Sequence, residues 1–303
     1  MYRVLVTDGM EKSGIEKLKS LGFEVVEQFY EKEVLGDVLK EFDALVVRSA
    51  TKVRQPIIDK AAEAGRLKLV IRGGVGVDNI DVDYAENKGI SVTNTPNASS
   101  ASVAELTIAH MFAVARFVAL ANVTMRAGKW DKKHYEGIEL NGKTLGLIGF
   151  GRISREVAKR AYALGMKVIY TDLMGKAEGF DDYEYAEFDK VIANSDFLSL
   201  HVPYSKERGS LIGKDQFDAM KDGVYLINCA RGGVVCEKAL LEALNSGKVA
   251  GAGIDVFEEE PTHNEALVNH PKVSVTPHIG AATLEAQARI GEEIVSIIQE
   301  FFK

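Results

Sequence analysis

The alternation of short apolar runs with helix-length segments constrains this chain more than any other feature. Strand-like runs fall at Arg3–Thr7, Ala44–Val47, Leu69–Arg72 and Ser91–Thr93. A second series falls at Thr144–Ile148, Lys167–Thr171, Phe197–Leu200, Val224–Asn228, Gly251–Asp255 and Val273–Val275. Helix-length stretches such as Gln55–Ala64, Arg152–Leu164, Glu237–Ser246 and Thr283–Phe302 separate them. Many of the strand runs are apolar on both faces, as strands buried in a parallel sheet are. Strand–helix–strand repetition of this kind predicts an α/β fold, an open parallel sheet with helices on both faces. The 303 residues exceed one such sheet, and at about 150 residues per domain two are expected.

Composition narrows the function classes. Lys plus Arg is 37 against 44 for Asp plus Glu, a net charge of −7, so no basic footprint for nucleic acid is expected. The most apolar stretch, Val103 to Met125, contains Glu105, His110 and Arg116 and reads as a buried helix rather than a membrane span. The opening residues run straight into a strand pattern without the features of a signal peptide. Two cysteines, Cys229 and Cys236, are too few for a disulfide framework, and no metal-ligand spacing is present. The expectations are a reducing cytoplasm, no membrane partner, no nucleic-acid partner and no metal.

A domain boundary is expected near Thr95-Pro96-Asn97, before one long helix from about Ser99 to Arg126. A second is expected near Pro277–Thr283. If the last helix packs back on the first domain, residues 1–95 and 280–303 form one discontinuous domain, and residues 96–279 are inserted in it.

The strand Thr144–Ile148 runs into Gly149-Phe150-Gly151-Arg152-Ile153-Ser154, and a helical pattern follows. Gly149 suits a tight turn, and Gly151 lets backbone approach a pyrophosphate seated on a helix N-terminus. Glycine patterns alone also describe ordinary turns. Here the next strand ends in Asp172, about 20 residues on, where a carboxylate can bond ribose hydroxyls and repel a 2′-phosphate. The combination predicts a dinucleotide site that prefers NAD to NADP.

Three residues near strand ends invite chemistry. Arg231 lies in Asn228-Cys-Ala-Arg-Gly-Gly233, Glu260 in Asp255-Val-Phe-Glu-Glu-Glu-Pro261, and His278 in Thr276-Pro-His-Ile-Gly280. Carboxyl ends of strands line the ligand crevice of open α/β sheets. Arg can clamp a carboxylate, His exchanges protons near neutral pH, and Glu can orient the imidazole. Singly, each has a plainer reading: a surface ion pair, a structural His, a solvated acidic turn. Jointly they suit interconversion of a 2-hydroxy acid and a 2-keto acid.

The ordered set Arg72–Asp81, Asn94–Asn97, Gly149–Ser154, His201-Val-Pro203, Asn228–Gly233, Asp255–Pro261 and Pro277–Thr283 resembles the D-isomer-specific 2-hydroxyacid dehydrogenases nearly end to end. Within that family the phosphoglycerate dehydrogenase branch is the most similar, through Val47–Val53, Gly73–Asp81 and Gly128-Lys-Trp130 with Lys132 and Lys133. The resemblance implies a Rossmann NAD-binding domain inserted in a flavodoxin-like substrate domain, both doubly wound. It implies a catalytic set of Arg231, Glu260 and His278. Cofactor contacts are implied at Gly149, Gly151, Arg152, Ile153, Asp172, His201, Val202, Pro203, Cys229, Ala230, Asp255 and Gly280. Substrate contacts are implied at Arg48, Gly74 and Val75 beside Arg231 and His278, with Arg48 the best match for a substrate phosphate and Arg54, Lys132 and Lys133 weaker ones. Residues Ser99–Gly137 would form a homodimer contact.

The implied reaction is NAD-dependent oxidation of D-3-phosphoglycerate, the entry to serine synthesis. Reduction of hydroxypyruvate, glyoxylate or another small 2-keto acid is the alternative, and an NADH-sensing corepressor-like scaffold the non-enzymatic one. Two departures stand out: Ser154 replaces the third glycine of the turn, and Arg208 stands where relatives often carry Thr. With about 25 residues after His278, no C-terminal regulatory domain is expected.

Overall fold

Strands in this chain pair only in parallel, in two separate sheets. The structure, a computed structural model, describes residues 1–303. The chain divides into two compact units, Met1–Ser99 with Ala281–Lys303, and Ser100–Gly280.

The first unit alternates strand and helix: β1 (Arg3–Val6), α1 (Lys12–Ser20), β2 (Glu24–Glu27), α2 (Lys32–Val38), β3 (Ala44–Val47), α3 (Gln55–Glu63), β4 (Leu69–Arg72), α4 (Val82–Asn87) and β5 (Ser91–Asn94). Its sheet has the order β2-β1-β3-β4-β5. Successive side chains point to opposite faces. Leu5, Leu45, Val47 and Val70 therefore enter one core cluster, while Val4, Val6, Ala44, Val46, Leu69 and Ile71 enter another. The C-terminal helix, Leu284–Phe301, completes the second cluster with Ile290, Ile294, Val295 and Ile298. Burial of each such side chain stabilises by roughly 1.5–3 kcal/mol. Thr283 caps this helix by accepting the Ala286 N–H at 3.1 Å.

The second unit opens with α5 (Ser100–Ala115) and α6 (Val118–Arg126) and continues β6 (Thr144–Ile148), α7 (Arg152–Ala163), β7 (Lys167–Thr171), β8 (Glu184–Tyr185), α8 (Phe188–Asn194) and β9 (Phe197–Leu200). After these come α9 (Lys214–Ala219), β10 (Val224–Asn228), α10 (Glu237–Ser246), β11 (Val249–Ile254), α11 (Glu265–Val268) and β12 (Val273–Val275). The sheet order is β12-β11-β10-β9-β6-β7-β8. The chain leaves β6 toward β7 and returns to β6's other side with β9, so the crossover direction reverses between β6 and β9. Ligands bind beyond the carboxyl ends of strands at such a reversal.

Three details differ from the sequence reading. The expected single helix over 99–126 is two helices bent by 66°. Phe117 takes a left-handed φ of 54°, which a helix cannot continue. The Ala115 carbonyl accepts the Ile138 N–H at 3.0 Å, and Phe117 packs on Tyr135 with ring centroids 5.9 Å apart. The returning segment thus takes up a carbonyl at the helix end. Strands β2 and β8 carry no apolar run; each lies at a sheet edge, where one strand neighbour suffices.

Candidate active site

The turn after β6 is built around a glycine that no other residue replaces. Gly149 has φ +87°, and a Cβ there would lie 2.6 Å from the His201 carbonyl oxygen and 2.9 Å from Val202 Cγ1. The Gly149 turn and the His201–Pro203 segment therefore lie against each other at the ends of β6 and β9. Phe150 is buried, stacked on Tyr170 at 3.8 Å, which anchors the turn. Gly151 is the N-cap of α7, no side chain caps that helix, and the space around the Gly151 Cβ position is open to 4 Å. Uncapped N–H groups beside open space are what a pyrophosphate requires.

The helix buries Ser154, Val157, Ala158 and Ala161 at helical spacing. Ser154, in the third-glycine position, fits without exposure, and its Oγ has no hydrogen-bond partner. Arg152 is exposed and Ile153 half-buried on the first turn.

Asp172 ends β7. One of its oxygens accepts the Phe150 N–H at 2.6 Å and the other the Met174 N–H at 2.9 Å. The acid thus shapes the turn it faces, and a carboxylate retains lone pairs for ribose hydroxyls after two such bonds. The residues present fit NAD.

His201 Nε2 lies 3.0 Å from Ser199 Oγ, and burial pulls its imidazole down to about 3, so the ring is neutral at physiological pH. Cys229 is buried, and burial, with the charge of Asp255, pushes its thiol up to about 12 against a hydrogen bond with Thr107. It is a packing residue rather than a nucleophile.

The Arg231 loop after β10 is pinned by Asn228, whose Oδ1 accepts the Ala230 N–H at 3.1 Å and whose Nδ2 donates to the Arg231 carbonyl at 3.0 Å. Arg231 Nη1 donates to the Ala230 carbonyl at 2.6 Å. A Cβ on Gly232 would sit 1.6 Å from the Phe257 carbonyl oxygen, so this loop lies hard against the one bearing Glu260. Glu258 and Glu237 accept each other's backbone N–H at 2.9 and 2.8 Å. The acidic turn is therefore tied to the start of α10 rather than merely solvated.

Glu260 and His278 meet directly, Oε2 to Nδ1 at 2.8 Å, each side chain 37% exposed. The other Glu260 oxygen accepts the Phe257 N–H at 3.1 Å. Burial raises the Glu260 carboxyl, but the hydrogen bond and charge of His278, the Phe257 N–H and the Arg231 charge together hold it below its ordinary value. With Nδ1 committed to Glu260, His278 has Nε2 left for a proton to come and go.

His278 stands on a tightly held turn. Its φ is +54°, and its N–H donates to the Asp255 carbonyl at 2.8 Å. Asp255 is 1% exposed, and its carboxylate accepts the Ile279 N–H at 2.9 Å, the Gly280 N–H at 3.0 Å and the Thr276 hydroxyl at 2.6 Å.

Arg48, Gly74 and Val75 belong to the first unit. Arg48 is half-buried, its N–H held by Asp8 at 2.7 Å and its carbonyl by Asn79 Nδ2 at 2.7 Å. Gly74 has φ +146°, and a Cβ would fall 1.5 Å from Arg72 Nη1. The Val75 carbonyl accepts the Asn94 side-chain amide. Arg54 is engaged by Asp81 at 2.8 Å and the Asp78 carbonyl at 3.0 Å. Lys132 and Lys133 are exposed on a short turn of the second unit. The sequence reading passed over Asn228 and Thr276. The only available signal was a polar residue closing a buried apolar strand.

Comparison with known proteins agrees with this geometry. Residues 108–280 match the family model described as D-isomer specific 2-hydroxyacid dehydrogenase, NAD binding domain. A hydroxypyruvate reductase from Thermotoga maritima is 49% identical over 302 residues, covering 98% of this chain and 97% of the relative. A D-3-phosphoglycerate dehydrogenase from Methanocaldococcus jannaschii is 44% identical over 306 residues, covering 100% of this chain but 58% of the relative. The chain thus spans little more than half the length of that second relative. The solved structure of a D-lactate dehydrogenase from Aquifex aeolicus, complexed with NAD and lactic acid, is similar with a TM-score of 0.85 and 34% identity, covering 99% of this chain and 95% of that one.

Proposed function

The chain belongs to the D-isomer specific 2-hydroxyacid dehydrogenases, NAD-dependent oxidoreductases; from that premise we propose that it interconverts a three-carbon D-2-hydroxy acid and its 2-keto acid, with D-3-phosphoglycerate as the leading substrate. The observation that carries the reaction type is the His278–Glu260 pair at 2.8 Å, in a unit that also presents Arg231 beyond a neighbouring strand. NAD, held by Gly149, Gly151, Arg152, Ile153 and Asp172, supplies the hydride acceptor when bound. His278 Nε2 takes the substrate hydroxyl proton, and Glu260 stabilises the imidazolium that results. Arg231 clamps the substrate carboxylate, and Gly74 and Val75 are proposed as further substrate contacts.

Arg48 is the proposed partner of the substrate phosphate. Arg54 is a poorer one, because Asp81 and the Asp78 carbonyl already hold it. Hydroxypyruvate, the same carbon skeleton without the phosphate, is the second reading; the T. maritima relative, 49% identical, favours it. A homodimer through Ser99–Gly137 is proposed because Val118, Val123, Met125 and Trp130 expose 51–80% of their surface there.

The deciding measurement is NADH oxidation with 3-phosphohydroxypyruvate, hydroxypyruvate, glyoxylate and pyruvate in parallel. A kcat/KM at least about tenfold higher for the phosphorylated acid is expected, equivalent to about 1.4 kcal/mol at the phosphate. Preference for hydroxypyruvate would discard the phosphate site at Arg48 and the serine pathway while keeping the reaction.

A further inference from the structure

The turn that carries His278 is held by a polar network buried beneath it. His110, on α5, is 2% exposed. Its Nδ1 lies 3.0 Å from Ser274 Oγ and its Nε2 2.9 Å from Thr276 Oγ1. Thr276 Oγ1 donates to Asp255 Oδ1 at 2.6 Å. A built site surrounds the ring: a Cβ on Gly253 of β11 would lie 2.6 Å from His110 Cβ, so glycine in the strand makes the room.

The proton inventory gives the network one consistent direction. A threonine hydroxyl has one proton, and Thr276 gives its proton to Asp255. Thr276 Oγ1 must therefore accept from His110, which places a proton on Nε2. Burial holds the His110 imidazole below its ordinary pKa against the pull of Asp255, which favours the neutral ring. Nδ1 then carries no proton and accepts from Ser274. The chain runs one way, Ser274 to His110 to Thr276 to the Asp255 carboxylate, an order in which each bond polarises the next. That carboxylate grips the N–H groups of Ile279 and Gly280, the two residues after His278.

We propose that His110 is a positioning residue for His278, acting through Thr276 and Asp255 to fix the Pro277–Gly280 turn on which the imidazole is mounted. This rests on the reading that His278 exchanges the substrate proton. Loosening the turn displaces Nε2 from the reacting hydroxyl while leaving the Gly149 turn alone. The cost falls on kcat more than on KM.

The test uses the full chain and the keto acid preferred in the panel above. Thr276→Val keeps the shape and removes the link; kcat is expected to fall about tenfold with the keto-acid KM within about threefold. Thr276→Ser, which restores the hydroxyl, is expected to return kcat to within about twofold of the parent. In the His278→Ala background, Thr276→Val is expected to add less than about twofold, because its effect runs through the missing imidazole. A parental kcat in Thr276→Val, equal loss in Thr276→Ser, or an undiminished loss in the His278→Ala background overturns the proposal. If Thr276→Val does not fold, His110→Gln against His110→Leu decides. Glutamine retains a donor and an acceptor and is expected to be the faster; equal rates overturn the proposal. His278→Ala alone judges the underlying reading: unchanged turnover there removes both, whereas a collapse there beside an intact Thr276→Val removes only the positioning role.

Discussion

The turns after β6 and β12 face the same demand, to hold a few residues of backbone rigidly outside a parallel strand, and they meet it by opposite means. The first uses what is missing from its residues. Gly149 has no Cβ to strike the His201 carbonyl, and Gly151 leaves the start of α7 uncovered. The second uses buried polar side chains. Asp255 gathers two N–H groups and a hydroxyl, and Ser274, His110 and Thr276 stand behind it. A turn that must admit a ligand to its backbone keeps that backbone bare. A turn that must aim one side chain can be clamped from below.

Alanine at the corresponding glycines puts this contrast under the greatest strain. Gly149→Ala forces a side chain into a left-handed φ and into the His201 carbonyl, so NADH Kd is expected to rise about 100-fold, near 2.7 kcal/mol. Gly280→Ala brings a Cβ to 3.2 Å from Asp255 Oδ2 and 3.3 Å from Val103, contacts that a small shift relieves. There an effect below about threefold on kcat is expected. Titration of NADH fluorescence and steady-state kinetics on the two variants check this; equal losses would erase the distinction.

Asp172 tests how far the bare turn is itself held by a carboxylate. Asp172→Ala removes the acceptor of the Phe150 and Met174 N–H groups as well as the proposed ribose partner. NADH affinity is expected to fall about tenfold, with NADPH weakened less. Parallel Kd values for the two cofactors decide it. An unchanged ratio would reduce Asp172 to a clasp for the turn.

A smaller effect than at Asp172 lies behind the first turn, at His201. Its folded pKa of about 3 is below the ordinary 6.5, so as pH falls from 6.5 the unfolded chain takes up a proton that the folded chain refuses. The stability this neutral ring permits is complete above 6.5 and lost as pH falls toward 3. Between pH 7.5 and 5.5 the protein is expected to lose about 1 kcal/mol more than His201→Gln, allowing for the residue's partial exposure to water. Urea denaturation at both pH values measures it, and identical losses in the two proteins would show that the ring does protonate in place.

The same contrast explains what could be read in advance. Glycines at fixed spacing after an apolar strand, with an acid at the end of the next one, have few other uses, so the first turn was legible. Arg231, Glu260 and His278 were selectable because each follows a strand end, and the parallel sheets followed from runs apolar on both faces. The network under His278 was not legible. Ser274 and Thr276 flank a short strand with a period that suits any sheet, and His110 sits in an apolar helix where a polar ring has no predictable partner. Nor does Phe117 announce a helix break; the groups that meet the break, Ile138 on the Ala115 carbonyl and Tyr135 on the Phe117 ring, come some 20 residues later. Edge strands such as Glu24–Glu27 escape for a simpler reason, since they bury too little to need an apolar run.

The C-terminal helix also sets an order of events during synthesis. Ile290, Ile294, Val295 and Ile298 close the face formed by Val4, Val6, Ala44, Val46, Leu69 and Ile71. Residues 1–99 leave the ribosome with that face bare, and it stays bare while residues 100–280 are made. At roughly 5–20 residues per second, the wait is about 10–40 seconds. The inserted unit has its whole sequence available before the surrounding one can close. Of the two units, the one whose strands are made first is the last to be completed.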